Sequence, residues 1–257
     1  MPALIDTNIS LSRWPFRRLP GDETSDLVRL LRKQGVTEAW AGSFDGLFHR
    51  DIAGVNARLA AECRTSGKGV LVPFGSVNPM LPGWEEDLRR CHSEHHMPGI
   101  RLHPNYHGYD LQHPEFARLL DLAGENKLIV QIALSMEDER THHPLMPVPH
   151  VDPAPLKDLL LARPALKVQL INVFRSLSLA QLEMFSGLPD LFVDIAMLEG
   201  VGGIEELLEK IPVNRILFGS HFPFFHFQSA LLKLDESDLG WFQREAITSQ
   251  NAITLKK

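Results

Sequence analysis

Short apolar runs rich in β-branched residues recur along the chain, with turn residues around them. Their apolar character is continuous rather than alternating, which is typical of strands covered on both faces in a parallel sheet. Segments with an apolar residue every three to four positions lie between them and predict amphipathic helices. The predicted strands are Ala3–Asp6, Val36–Ser43, Lys68–Val77, Gly99–His103, Lys127–Leu134, Leu166–Asn172, Leu191–Ala196 and Arg215–Ser220.

Strand and helix alternate about eight times, which favours one (β/α)8 TIM barrel over residues 1–257 rather than two smaller domains. An open, doubly wound sheet has the same alternation and is the alternative, but it would bind a ligand at one switch point. Asp152 followed by Pro153 predicts the start of a helix. The proline-rich stretch from Ser135 to Pro155 predicts a long loop after the fifth strand, over the catalytic face of a barrel.

Composition narrows the classes of partner. The chain has 26 Lys and Arg against 32 Asp and Glu, a net charge of −6, and no basic block, so nucleic-acid binding is not expected. No apolar run is long enough for a membrane span or a signal segment, so we expect a cytoplasmic protein without membrane contact. Cys63 and Cys91 are expected to be buried thiols. A small-molecule substrate is the expected partner, with a homo-oligomer as an open alternative.

Polar residues follow the predicted strands, where the loops of a barrel build its site. His221 follows the last strand and titrates near neutral pH, so it is a candidate acid or base that Asp6 of the adjacent strand could orient. Arg140 is a candidate clamp for a carboxylate or phosphate. Each has an ordinary structural alternative as a helix cap or loop hydrogen bond. The remaining candidates are His103 for catalysis and Asn8, Tyr106, His107, Asn172 and Arg175 for substrate binding.

Four segments carry a family resemblance: IDTNISL at the start, GIRLHPNYHGY in the middle, RILFGSHFPFF near the end, and the closing Ile247…Asn251-Ala252. Together they resemble the amidohydrolase-2, or amidohydrolase-related, family of metal-dependent hydrolases and decarboxylases. The resemblance covers essentially the whole chain. It implies a TIM barrel with its site at the carboxyl ends of the strands.

The sequence departs from that family at the metal ligands. The family has Asp-x-His-x-His after the first strand, where this chain has Asp6 and Asn8; Asn172 replaces the histidine after the sixth strand, and His221 replaces the acid of the last motif. An asparagine oxygen is a poor zinc ligand. The alternatives are one divalent ion, zinc or similar, held by Asp6, His103 and His221, or no metal, which the missing histidines favour. The metal-free 2-pyrone-4,6-dicarboxylate lactonases of the same superfamily set a precedent for the second.

Two functions remain open from the sequence. The first is an amidohydrolase-related hydrolase, acting on a C–N or lactone C–O bond, or a decarboxylase, with a small anionic organic substrate at the mouth of the barrel. The second is a catalytically degenerate barrel that binds a ligand or a partner. The missing histidines favour the second function, and the ring of polar residues at the strand ends favours the first.

Overall fold

The computed structural model describes residues 3–175, 177–185, 187–188 and 190–257. Within these residues eight strands form a parallel sheet in which each pairs with the next along the chain. They are β1 Leu4–Leu11, β2 Val36–Ser43, β3 Leu71–Ser76, β4 Gly99–Leu102, β5 Ile129–Ala133, β6 Val168–Ile171, β7 Leu191–Asp194 and β8 Ile216–Leu217.

The end of the sheet returns to its beginning. The amide of Thr7 donates to the carbonyl of Phe218 at 2.9 Å, and the amide of Ser10 donates to Phe222 at 3.0 Å. These bonds pair the segment after β8 with β1 and give a nearly closed barrel. The predicted single-domain (β/α)8 TIM barrel is therefore confirmed.

Helices cover the outside of the barrel. In the first, the spacing of Leu27, Leu30 and Leu31 predicts the buried stripe. Leu27 and Leu31 are buried together with Val28, and Leu30 is partly buried against the core. The helices of the described chain are α1 Thr24–Lys33, α2 Asp45–Phe48, α3 Ile52–Thr65, α4 Trp84–Ser93, α5 Pro104–His107, α6 Pro114–Glu125, α7 Leu156–Leu161, α8 Leu179–Leu182, α9 Gly203–Leu208, α10 Phe227–Asp235, α11 Trp241–Glu245 and α12 Asn251–Lys256. No helix in these described segments is long and apolar enough to cross a bilayer.

The third to the eighth predicted strands extend one to three residues past the observed ones at one or both ends; β8, for example, ends at Leu217 rather than at Ser220. The boundaries of β1 and α7 also differ from the prediction. β1 continues to Leu11, five residues beyond the predicted end at Asp6, so Asp6 and Asn8 lie within the strand. α7 begins at Leu156, because a residue that precedes proline, here Ala154, disfavours helical backbone. Asp152 instead accepts a hydrogen bond from the amide of Ala154 at 3.0 Å.

The interior of the barrel has an apolar floor at the amino ends of the strands. Trp40 and Phe74 stack there with ring centroids 4.9 Å apart. Ile5, Ile129 and Leu217 pack with them, and α12 closes this end with Leu255 and its neighbour Ala252. This floor closes the interior at the amino ends of the strands.

A belt of hydrogen-bonded polar side chains lies above the floor. The buried guanidinium of Arg101 donates to Gln131 Oε1 at 2.8 Å and to the carbonyls of Ile9 at 2.6 Å and Trp40 at 3.1 Å. Gln131 donates in turn to Gln169 at 2.8 Å. Because every donor finds a partner, this polar layer can replace the apolar filling usual in such barrels.

Candidate active site

Six polar side chains meet above the belt, at the carboxyl ends of the strands. We call them the mouth cluster: Asp6 and Asn8 of β1, His103 after β4, Asn172 after β6, Asp194 of β7 and His221 after β8. Each is at most 1% exposed. Five of the six are sequence-predicted site residues, so the fold brings most of the candidates to one end of the barrel.

Asp6 is held by the segment that carries His221. One of its oxygens accepts from the amides of Asn8 at 3.1 Å and Ser220 at 3.0 Å, and the other accepts from the Ser220 hydroxyl. Burial raises the pKa of Asp6 to about 7, although these hydrogen bonds favour the charged form. Asp6 thus fixes the backbone next to His221 through Ser220.

Asn8 links the two buried carboxyl groups. Its Nδ2 donates to Asp194 Oδ2 at 2.7 Å and to Asn172 Oδ1 at 2.8 Å. Asp194 also accepts from the amides of Asn172 and Ala196, both at 3.2 Å. Burial raises the pKa of Asp194 to about 6 against these bonds. Positions 8 and 172 therefore act as amide donors and acceptors within a network.

His221 is poised as a neutral base. Its Nε2 lies 2.6 Å from the carbonyl oxygen of Met136, and a carbonyl can only accept, so Nε2 carries the proton. Burial lowers the pKa of His221 to about 4, so the ring is neutral near pH 7. Its Nδ1 then carries a lone pair, and this buried atom has no partner in the structure.

Two further buried atoms of the mouth cluster lack hydrogen-bond partners: Asn8 Oδ1 and His103 Nδ1. His103 is also neutral, because burial and the neighbouring His107, Arg101 and His221 lower its pKa well below the usual value. Buried polar atoms without partners are uncommon and destabilising in folded proteins. Asn8 Oδ1 within β1, His103 Nδ1 after β4 and His221 Nδ1 after β8 are therefore candidates for hydrogen bonds to a ligand.

The backbone is strained at two of these residues. Asn172 has φ 60° and His221 has φ 55°, in the left-handed region that side chains other than glycine rarely adopt. Each such residue costs about 1–3 kcal/mol and persists where the surroundings enforce it, often at functional sites. At Asn172 and His221 this left-handed backbone directs the side chains into the mouth cluster.

An aromatic plug covers the mouth cluster, formed by Trp14, Phe44, Tyr106 and Phe224. The Trp14 ring lies 4.8 Å from Phe224 and 5.3 Å from Phe44, in edge contacts. Phe224 packs in turn on His221 with ring centroids 5.1 Å apart. The plug shields His221 from water in this structure and explains the lowered pKa of its imidazole.

The other predicted residues lie at different depths. Tyr106 belongs to the plug, and its buried hydroxyl has no partner. His107 lies behind His103, with its Nε2 2.9 Å from the carbonyl of Gly46. The side chain of Arg140 is 79% exposed and pairs with Asp138, away from the mouth cluster. The side chain of Arg175 lies outside the described part of the chain.

Sequence reasoning missed several residues of this site. Asp194 is one of them, and its acid inside the apolar run Leu191–Ala196 is a usable signal of a buried carboxylate. Ser220 is another, and its sequence position indicates only the end of a predicted strand. Arg17 is the third, and nothing in the sequence indicates its ion pair with Glu137, 120 residues away.

Gly219 lets two members of the mouth cluster meet. A Cβ at this position would lie 2.8 Å from Asp194 Cβ and 3.1 Å from Asn8 Cβ. Gly219→Ala should therefore separate Asn8 from Asp194, lower the free energy of unfolding by about 1–3 kcal/mol and reduce any activity more than tenfold. Urea denaturation and a rate assay would measure both effects.

Gly124→Ala is the matched control for this substitution. Position 124 lies in α6, and the nearest atom to an added Cβ is a Leu166 methyl carbon at 3.8 Å. This variant should be as stable as the parent or slightly more so, because alanine favours helix over glycine. Equal behaviour of the two variants would show that the contact of Gly219 with Asp194 and Asn8 has no role.

Comparison with known protein families decides which group the chain falls into. The amidohydrolase profile matches residues 15–255. The chain belongs to the amidohydrolase family. This confirms the family expected from the sequence motifs. A comparison with curated protein sequences gives no match.

Solved structures of family-like barrels are similar to this amidohydrolase over their full length. The 5-carboxyvanillate decarboxylase from Sphingomonas paucimobilis shares 12% identity with a TM-score of 0.77, covering 99% of each chain. The 2,6-dihydroxybenzoate decarboxylase from Rhizobium shares 13% identity with a TM-score of 0.72, covering 98% of each chain. At this identity the likeness shows the fold alone.

A third similar structure holds a metal. The dihydroxybenzoic acid decarboxylase from Polaromonas sp. JS666, with bound manganese and the inhibitor 2-nitroresorcinol, shares 13% identity with a TM-score of 0.73, covering 100% of this chain and 97% of that one. Divalent metal ions thus occur in neighbouring structures of the same fold.

The residues of this amidohydrolase do not fit such an ion. No group of three His, Cys, Asp or Glu side chains in the described segments is arranged to hold one. Asp6 and Asp194 each accept three hydrogen bonds from the protein. A catalytic zinc needs about three protein ligands and an open position. The predicted set of Asp6, His103 and His221 is not assembled as such a centre here.

Proposed function

We propose that this amidohydrolase acts on a small, anionic organic substrate at the mouth of the barrel, as a hydrolase of a C–N or lactone C–O bond. The observation that carries the proposal is the neutral His221, whose unpartnered Nδ1 lies among other unpartnered polar atoms beneath an apolar cover. A few polar groups in an apolar surrounding are typical of a small-molecule site.

In the proposed reaction His221 is the general base. Its Nδ1 takes a proton from water while the water oxygen attacks the substrate carbonyl carbon and the C=O π pair moves onto the carbonyl oxygen. When the carbonyl re-forms, the C–N or C–O bond breaks, and Nδ1–H returns the proton to the leaving nitrogen or oxygen. The Met136 carbonyl, which accepts from Nε2–H, keeps the tautomer that leaves Nδ1 free. Asp6 acts as a positioning residue through Ser220, and His103, Asn8, Tyr106, His107 and Asn172 are proposed to contact or orient the substrate. Arg140 and Arg175 remain proposed binding residues.

Decarboxylation is the second candidate, favoured by the three similar structures, each of which is a decarboxylase. It requires delivery of a proton to the carbon that loses CO₂. Asp6, with a pKa of about 7, is the carboxyl group of the mouth cluster that holds a proton most readily near neutral pH and is the proposed donor. None of these proposed steps involves a metal ion, because the side chains of the mouth cluster do not fit one.

A substrate panel separates these functions. Purified protein is assayed with lactones, amides and aromatic acids, without added metal and with manganese or zinc, and its metal content is measured. Turnover of a lactone or amide supports the hydrolase, whereas CO₂ release from an aromatic acid supports the decarboxylase. Binding of these compounds without turnover of any would overturn both and support the catalytically degenerate barrel.

The low pKa of His221 predicts an unusual pH profile. The neutral ring is the active form, so kcat/KM should stay constant from neutral pH downwards and fall to half near pH 4. A histidine with an ordinary pKa would lose half its activity near pH 6.5. Measurement of kcat/KM between pH 4 and 8 distinguishes the two, and a midpoint near 6.5 would contradict the buried, neutral base.

A further inference from the structure

An ion pair spans the opening of the barrel. Arg17, from the segment after β1, donates through its terminal nitrogen to Glu137 Oε1, from the loop after β5. Glu137 is 3% exposed, whereas the Arg17 side chain remains 36% exposed. A buried carboxylate is stable only when a partner compensates its charge, so Glu137 depends on Arg17.

Arg17 lies over the aromatic plug. Its guanidinium carbon is 5.3 Å from the centroid of the Phe224 ring, a cation–π contact. The His221 ring packs on that same Phe224 at 5.1 Å. The Phe224 ring therefore lies between the Arg17 guanidinium and the proposed base, His221. The separation of these two groups is comparable to the length of a small aromatic or unsaturated acid.

Tyr106 lies in the field of the same pair. Burial and the charge of Glu137 raise the pKa of the Tyr106 phenol, and Arg17 lowers it. Its hydroxyl is buried without a hydrogen-bond partner. A polar atom beside Arg17 is thus available for a ligand that replaces Glu137.

The segment that carries Glu137 also makes a hydrogen bond with His221. The carbonyl of Met136 accepts from His221 Nε2, and the next residue supplies the carboxylate on Arg17. Two adjacent residues of the loop thus hold the proposed base in its tautomer and hold the Arg17 guanidinium. Only the second contact, a carboxylate on Arg17, is one that an anionic substrate could replace while Met136 keeps Nδ1 of His221 free.

We propose that Arg17 is the anchor for the carboxylate of the substrate, and that Glu137 is an internal competitor that holds this anchor until substrate displaces it. The inference rests on the proposed function, since it concerns the substrate class of the same site. Arg17 takes here the role that the sequence assigned to Arg140, whose guanidinium is engaged with Asp138 on the surface.

Calorimetric binding tests this assignment without any need for turnover. The probes are 2,6-dihydroxybenzoate and resorcinol, which has the same ring and hydroxyl groups but no carboxylate. Glu137→Gln should bind 2,6-dihydroxybenzoate about tenfold more tightly, because the competitor for Arg17 is lost. Arg17→Gln/Glu137→Gln should bind it at least about 30-fold more weakly than Glu137→Gln, since a charged partner is removed. Resorcinol affinity should stay within about threefold in each case.

Using the double variant avoids an unpaired buried Glu137. Arg13→Gln is the matched control: Arg13 lies in the same segment, pairs with Glu23, and has a side chain that is 61% exposed. It should bind both probes like the parent. Arg17→Lys/Glu137→Gln should recover part of the carboxylate affinity, because a lysine keeps the charge but loses the planar fork.

The proposal is overturned if the parent and Glu137→Gln both fail to bind 2,6-dihydroxybenzoate, or if the loss of Arg17 leaves the affinity for 2,6-dihydroxybenzoate unchanged. If Arg140→Gln lost affinity for 2,6-dihydroxybenzoate instead, Arg140 rather than Arg17 would be the carboxylate anchor. These outcomes differ from failure of the proposed function. If Arg17 binds the carboxylate but no substrate is turned over, the assignment of Arg17 is supported and the proposed reaction is refuted.

Discussion

Replacing His221 with asparagine should reduce turnover by about 10²–10⁴-fold, on whichever compound of the panel the protein converts. The substitution removes the Nδ1 lone pair, which is the proposed proton acceptor. Asparagine tolerates the left-handed backbone at φ 55° better than other side chains do, so the variant should fold. Steady-state kinetics and a thermal melt would show a loss of kcat with the melting temperature nearly retained.

His96→Asn is the matched control for this experiment. His96 also has a left-handed backbone, with φ 53°, but it is exposed and lies before β4, at the opposite end of the barrel. Its replacement should leave kcat and KM unchanged. Turnover of the His221 variant within about threefold of the parent would remove His221 from the mechanism, since a general base contributes far more than that.

Asp6→Asn should stabilise the protein at pH 8 by about 2–4 kcal/mol and have little effect at pH 4. The folded pKa of about 7 lies above the model value of 3.8, so the native state holds the proton more tightly than the unfolded chain. The stability of the parent therefore falls as the pH rises from about 4 to about 7, by about 1.4 kcal/mol per unit of pKa difference. An asparagine escapes this loss.

The asparagine can also keep the hydrogen bonds of Asp6. Its carbonyl can accept from the amides of Asn8 and Ser220, and its amide can donate to the Ser220 hydroxyl oxygen. Urea denaturation of both proteins at pH 4, 6 and 8 measures the difference. Asp26→Asn is the control, because Asp26 is exposed and pairs with Arg29, so its effect should be small and nearly independent of pH. Destabilisation by Asp6→Asn at pH 8 would show that the charged form of Asp6 is needed for folding.

The sequence predicted the barrel because its signals are local. Continuous apolar runs such as Gly99–His103 and helical stripes such as Leu27 to Leu31 depend on neighbours a few residues apart. The carboxyl ends of parallel strands meet at one end of a barrel, so Asp6, His103, Asn172 and His221 could be grouped before the structure was known.

The partners of those residues could not be predicted. The proton position on His221 depends on the Met136 carbonyl, and a backbone carbonyl has no signature in the sequence. The direction of the Asn8 amide depends on Asp194, which pairs with it across 186 residues. The sequence alone does not distinguish Arg17 from Arg140 as candidate anchors. The fold places Arg17 over Phe224 and Arg140 on the surface.

The missing family histidines have a physical meaning in the structure. Asn8 Nδ2 donates to Asn172 Oδ1 and to Asp194, and the backbone amide of Asn172 also donates to Asp194, so oxygen lone pairs of Asp194 that could bind a metal ion accept hydrogen bonds instead. The mouth cluster is thereby stabilised by amide and carboxyl groups. Its neutral His221 and its unpartnered polar atoms carry the proposed chemistry of this chain.

The most direct test of the central claim is nitrogen-15 NMR of the His221 ring in the parent protein, with and without 2,6-dihydroxybenzoate, assigned by His221→Asn. The ring should be neutral between pH 5 and 8, with the proton on Nε2 and a lone pair on Nδ1, and the Nδ1 resonance should shift when the carboxylate binds. A ring that is protonated at pH 6, or an Nδ1 resonance that stays unchanged at saturating ligand, would contradict this claim.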